Sequence, residues 1–211
     1  MQAFFGIRNA KLRHLLGAAF AASTLIGSGS VSASPIITGF QLLDVAAGTL
    51  DSATVDNVHN TIDIAKTFTA VAPMTIRLTV AHGTGSGGPF AVTETIGDMT
   101  GVAWSDYHIS IENAPNGIVF GDFSNSTLAG FTLDAAPASG PRALNFTGML
   151  AANSATAAKF MLSLDDPGKG KTYTLDITQT PSPVPVPVAG YLFGSGLLSL
   201  IGVLRHKTGL A

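Results

Sequence analysis

The chain has 211 residues, 46% of them hydrophobic and only 11% charged, with a formal net charge of −2 and no cysteine. Without cysteine there is no disulfide staple, no thiol nucleophile and no cysteine-ligated metal, so stability has to come from an apolar core. The near-neutral total hides a partition, because the two ends are basic while residues 34–180 hold six basic residues against all 13 carboxylates, a net of −7, which argues against nucleic acid or anionic lipid as a partner.

At the amino terminus Arg8, Lys11 and Arg13 form a positive segment, residues 15–27 are uncharged and apolar, and Val31, Ser32 and Ala33 make a small-x-small site before Ser34. That order of parts predicts a secretory signal peptide over residues 1–33, cleaved before Ser34. Its short apolar run, interrupted by Gly17 and Gly27, weighs against a permanent membrane span.

Residues 34–178 then alternate with period two almost throughout, which predicts strands. The run from Pro35 to Leu43 is apolar and rich in β-formers, and Ile62 and Ile64 alternate with Thr61, Asp63 and Ala65. In the clearest strand Met74, Ile76, Leu78 and Val80 face one way and Thr75, Arg77 and Thr79 the other. Tyr107, Ile109 and Ile111 alternate with His108, Ser110 and Glu112, and Pro115, Asn116 and Gly117 then supply a turn into Ile118 and Phe120. Shorter candidates lie at Phe131 and Leu133 and at Leu144 and Phe146. Ala158 to Leu164 is expected to pair with Tyr173 to Ile177 across a hairpin loop at residues 165–170. Residues 149–159 are Ala-rich and ambiguous between helix and strand. Together these predict an all-β, antiparallel β-sandwich of about eight to ten strands, jelly-roll or immunoglobulin-like.

Motifs for chemistry are sparse. Gly83, Gly85 and Gly88 match Gly-x-Gly-x-x-Gly literally, but Pro89 and a strand-like run follow where a dinucleotide site needs a helix. His59 and His82 stand alone. Asp44, Asp51, Asp56 and Asp63 are too widely spaced for a calcium loop, and Asp165 with Asp166 lacks the remaining ligands. Glu94, Asp98 and Glu112 would form a glycosidase pair only if the fold brought two of them together. If the segment at Trp104 is a regular strand, Trp104, Asp106 and His108 share one face, about 6.6 Å apart in turn. Such a face suits contact with a sugar ring, or a partial metal site from Asp106 and His108, or simply a polar edge with the sole tryptophan packed at the end of the sandwich. No catalytic set is recognisable, and neither an enzyme nor a cofactor is expected.

The carboxyl end has three parts. Prolines at 181, 183, 185 and 187 alternate with Ser182, Val184 and Val186, which predicts an extended linker over 179–187. Residues 188–204 carry no charge, and at 1.5 Å per residue they reach roughly 26 Å as a helix, close to a hydrocarbon core of about 30 Å. Arg205 and Lys207 follow, where cations hold the cytoplasmic side, leaving 205–211 as a basic cytoplasmic tail. The linker is expected to hold the sandwich away from the bilayer.

Val184, Pro185, Val186, Pro187, Val188 and Ala189, followed by Tyr191 and the run Gly194, Ser195, Gly196, Leu197, Leu198, resemble the PEP-CTERM sorting signal in its Val-Pro-x-Pro-Ala variant. The resemblance covers roughly the last 25 residues. Val186 stands where the namesake motif has Glu, Tyr191 where the variant often has Trp, and His206 interrupts the basic cluster. The resemblance implies recognition by an exosortase, a membrane enzyme of Gram-negative bacteria, scission near 185–189, and an association with exopolysaccharide. The partners expected are therefore export machinery and signal peptidase, the inner membrane, an exosortase and an exopolysaccharide matrix.

Overall fold

Strands with one apolar face bury it most simply against a second sheet. The computed structural model describes residues 33–84, 87–135 and 141–185, and they form such a body. In chain order the strands are β1 (Ser34–Leu42), β2 (Gly48–Asp56), β3 (Thr61–Phe68), β4 (Met74–Gly83), β5 (Phe90–Asp98) and β6 (Trp104–Glu112). There follow β7 (Val119–Gly121), a single 3-10 turn Phe123–Asn125, β8 (Thr127–Leu128), β9 (Phe131–Leu133), β10 (Ala143–Leu150), β11 (Ala155–Ser163) and β12 (Thr172–Pro183). The described residues therefore hold more strands than expected. The ambiguous stretch 149–159 is the end of β10 and the start of β11. Among the described residues no helix is long and apolar enough to cross a membrane. The signal-peptide features through Val31, the sorting residues Val186, Pro187, Val188 and Ala189, the apolar run 188–204 and the cations Arg205 and Lys207 lie outside the described residues.

One sheet has the order β1-β4-β12-β6-β10-β9 and the other β2-β3-β5-β11-β7, with β8 also on β11. Ile76, Leu78, Ile109, Phe146 and Ile177 of the first sheet and Ile62, Phe68, Phe90, Ile96 and Phe160 of the second make one core. The predicted β4 alternation is present, with Met74, Ile76, Leu78 and Val80 buried and the residues between them half-exposed.

Most connections pass from one sheet to the other, and this corrects two expectations. The chain leaves β3 for β4 in the first sheet and returns to β5, so β5 runs parallel to β3, with Ile62 opposite Val92 and Ile64 opposite Glu94. The sandwich is thus mixed where a purely antiparallel one was expected. Nor do β11 and β12 form a hairpin: β11 pairs with β5, while β12 lies between β4 and β6. The 165–170 loop crosses the sandwich edge.

The linker expectation also changes at its start. β12 continues to Pro183, beyond the expected boundary at 178, and Gln179 and Pro181 are buried. Prolines are tolerated here because β4 begins at Met74, opposite Gln179, and does not reach past it. Val184 donates its amide to the Ala103 carbonyl at 2.9 Å, so the even-numbered amides face β6, whereas Pro181 and Pro183 face the side β4 has vacated. The extended chain is strand, not spacer, until Val184.

Side chains finish the edges and turns. At the β1 bulge the Asn57 amide accepts from the Ile37 nitrogen (2.8 Å) and donates to the Ile37 carbonyl (3.0 Å), standing in for a missing strand. Among the described residues the non-glycine positions with positive φ are Asn60, Asn113, Asp122 and Asn153, the types that tolerate left-handed backbone best. At Gly48 any Cβ would overlap the Thr67 carbonyl oxygen.

On the solvent face of the first sheet Arg77 of β4 grips Asp176 of β12 in two parallel bonds, Nε to Oδ1 at 2.7 Å and Nη2 to Oδ2 at 2.9 Å, and Asn113 donates to Oδ2 at 2.6 Å. The Arg77 hydrogen bonds, helped by that of Asn113, hold the Asp176 carboxyl below the usual aspartate range although burial opposes them. A carboxyl lowered by folding adds stability that is complete above the unfolded-state pKa and lost as pH falls through the folded value. Asp176→Asn is therefore expected to cost about 2 kcal/mol at neutral pH, and the gap in urea midpoint between it and the parent should close as pH is lowered from about 4 toward 2. A gap independent of pH would show that the charge on Asp176 contributes nothing.

Candidate functional site

The alternation that buries the core also carries polar side chains inward. On β3 the inward series is Ile62, Ile64, Lys66 and Phe68, and on β5 it is Phe90, Val92, Glu94, Ile96 and Asp98. Gln179 of β12 and Tyr107 of β6 face them from the opposite sheet. Burying these groups is costly unless each finds a partner, and here each does. Lys66 Nζ donates to Glu94 Oε2 at 2.7 Å, Gln179 Nε2 to Glu94 Oε1 at 2.8 Å, and Tyr107 Oη to Gln179 Oε1 at 2.6 Å. All four residues are at most 1% exposed.

Burial draws the Lys66 ammonium down from its ordinary range while Glu94 pulls it back up. Burial, and then the charge of Glu94, push the Tyr107 phenol well above its ordinary range. The phenol therefore stays protonated and remains a donor. Chemically the cluster has the acid and base of a catalytic set but no route to a substrate, because Glu94 is used on both oxygens and no member reaches solvent. What it does is tie one sheet to the other at a fixed register.

Beside it Asp98 Oδ1 accepts from the Thr100 amide (2.8 Å) and hydroxyl (2.7 Å), and Trp104 Nε1 donates to Thr100 Oγ1 at 3.3 Å. Asp98 Oδ2 is buried without a hydrogen-bond partner among the described residues. The Trp104 ring stacks on Tyr107 with centroids 5.8 Å apart and is T-shaped to Phe68 with centroids 5.4 Å apart.

This placement corrects the shared-face reading of Trp104, Asp106 and His108. Ser182 stands opposite Asp106 and Pro183 opposite Trp104, so Ser105 is an extra residue in β6. Such a bulge breaks the period-two parity. Trp104 and Tyr107, three residues apart, both point inward, whereas Asp106 is half-exposed and His108 exposed. Trp104 offers no ring face to a sugar. Asp106 bonds the Ser105 hydroxyl, and His108 Nδ1 lies 2.9 Å from Asn145 Oδ1.

The remaining candidates are dispersed. Glu94 and Asp98 are sealed in the core while Glu112 is exposed on the outer face, so no carboxylate pair frames a cleft among them. His59 Nδ1 is 2.6 Å from Asp56, and His82 Nδ1 is 3.0 Å from both oxygens of Asp166, so neither histidine is isolated. Among the described residues no three histidine or carboxylate side chains converge as a metal site would require. Of the expected processing residues, Ala33 is exposed just before β1, Ser34 is the first residue of β1, Val184 is bonded to Ala103, and Pro185 is exposed beyond β12.

The buried cluster was within reach of sequence reasoning. Lys66 interrupts the inward series of β3, and Glu94 that of β5, with opposite charge. Gln179 was hidden by the prolines that follow it. Comparison with family models, with curated proteins and with solved structures finds no match for this chain.

Removing one member strands another in the core, so Lys66→Met is expected to cost about 3 to 5 kcal/mol in urea unfolding. Lys66→Met with Glu94→Gln should recover a large part of that loss, as the uncompensated charge is gone. A double variant that costs the sum of Lys66→Met and Glu94→Gln taken singly would mean that the pair is not coupled.

Proposed function

We propose that this chain is an exported bacterial cell-surface or extracellular-matrix protein and a substrate of exosortase-type processing at its carboxyl end. The observation that carries the reading is where the folded body begins and ends. β1 starts at Ser34, the residue after the expected signal cleavage, and among the described residues the last backbone bond comes from Val184, the first residue of the expected sorting motif. The fold fills the interval between the two processing signals and leaves Pro185 exposed outside it, where an enzyme can reach the backbone. The acidic body, with its polar cluster sealed and its tryptophan inside, suits a passive, soluble module of an envelope or exopolysaccharide matrix. Connections that mostly pass between the sheets favour the jelly-roll over the immunoglobulin-like plan, with the parallel β3–β5 pair as a departure.

In this reading the precursor is held in the inner membrane by residues 188–204 with Arg205 and Lys207 inside, and scission near 185–189 releases the sandwich. Intact mass of the protein recovered from producing cells is expected to show Ser34 as the first residue and loss of everything after the 185–189 region. Pro185→Ala with Pro187→Ala should accumulate the longer form. Recovery of the parent protein with residues 191–211 attached would contradict processing and leave only an anchor.

A further inference from the structure

The two ends of the sandwich differ in chemistry. At one end β1, β3, β5, β10 and β12 finish and β4, β6 and β11 begin. The registers fix this, with Gln179 opposite Met74, Pro183 and Leu150 both opposite Trp104, and Gly97 opposite Ala155. Backbone bonds stitch the loops there: Thr69 and Ala70 donate to the Ala47 carbonyl, Met99 to that of Phe68 and Asp98 to that of Ser154. In the loops 43–47, 69–73, 99–103 and 151–154 the one charged residue is Asp44. Val45 is 74% exposed, Met99 61%, Val102 42% and Val71 36%. The opposite end carries Asp56, His59, Glu112, Asp165, Asp166 and Lys169.

The chain leaves from the apolar end. Val184, bonded to Ala103 there, is four residues from Val188, where the uncharged run of 17 begins. Four extended residues span at most about 14 Å, because β12 has taken up most of the expected spacer. We infer that this end of the sandwich is a lipid-facing surface, on which Val45, Val71, Met99 and Val102 rest at the bilayer interface while the precursor is anchored. The inference depends on the anchoring described above. A neutral bilayer is the occupant that fits: loops almost without charge offer nothing to anionic headgroups, and exposed aliphatic and thioether side chains gain from an interface. An open depression of about 450 Å³ between the 43–47 loop and Ala72–Pro73 adds apolar relief to the same end.

The chain has no native cysteine, so spin labels can be placed singly at Val45→Cys, Met99→Cys and Val102→Cys at this end, at His59→Cys and Lys169→Cys at the other, and at Leu197→Cys in the apolar run. The full chain, reconstituted in phosphatidylcholine vesicles, is then read by collision with oxygen and with a water-soluble nickel chelate. Labels at 45, 99 and 102 are expected to lose roughly fivefold in nickel accessibility relative to 59 and 169, and to gain in oxygen accessibility, as groups do at the acyl boundary. A label at 197 in lipid, with 45, 99 and 102 as wet as 59, would overturn the inference and leave the anchoring intact. A label at 197 in water would overturn the anchoring and the inference with it. Dipolar broadening between labels at 45 on different copies would assign the surface to self-association and likewise overturn the inference.

Discussion

Gln179 is the residue on which the two halves of this molecule depend. Its amide accepts from Tyr107 in its own sheet and donates to Glu94 in the other, and Glu94 in turn holds Lys66. An amide with both ends engaged in a dry interior has one comfortable position. It pins β12 between β4 and β6 at one register, and the stacked rings of Trp104 and Tyr107 with the Phe68 edge close the core beside it. The apolar bulk supplies the driving force; the polar chain selects which strands face each other.

That register determines where the chain departs. With Gln179 buried, the strand runs on through Pro181 and Pro183 along β6 and reaches the rim of the sandwich at Val184. The end it leaves from is apolar and the far end is charged. A body that is acidic as a whole thereby has a nearly uncharged face at the end from which the chain leaves, the face that the proposed anchoring would turn toward the bilayer.

Alternation told most of the strand story. β4 and the Tyr107 to Glu112 part of β6 follow strict period two because both strands have one face on the core, and their buried sets match the reading residue for residue. Three things were not legible, each for a physical reason. Period two says which residues face inward but not which sheet a strand joins, so β11 and β12 were paired although they lie on opposite sides of the core. A bulge is a one-residue event decided by neighbouring strands, so Ser105 reversed the placement of Trp104 without a local signal. Proline speaks for extended backbone but does not say whether that backbone is solvated or lies beside β6, and β12 was cut short for that reason. The buried pair of Lys66 and Glu94 was written in the inward series of β3 and β5, and only the third member, lost in the supposed linker, kept it from view.

The claim that β12 belongs to the sheet as far as Val184 has a direct test in amide hydrogen exchange followed residue by residue. The account predicts that Val184, bonded to Ala103, and Ser182, on the same side of the strand, exchange slowly, with protection approaching that of Leu78 in the middle of β4. Exchange at the rate of a free peptide from Gln179 onward would contradict it, returning that segment to solvent and removing the fixed exit from the apolar end.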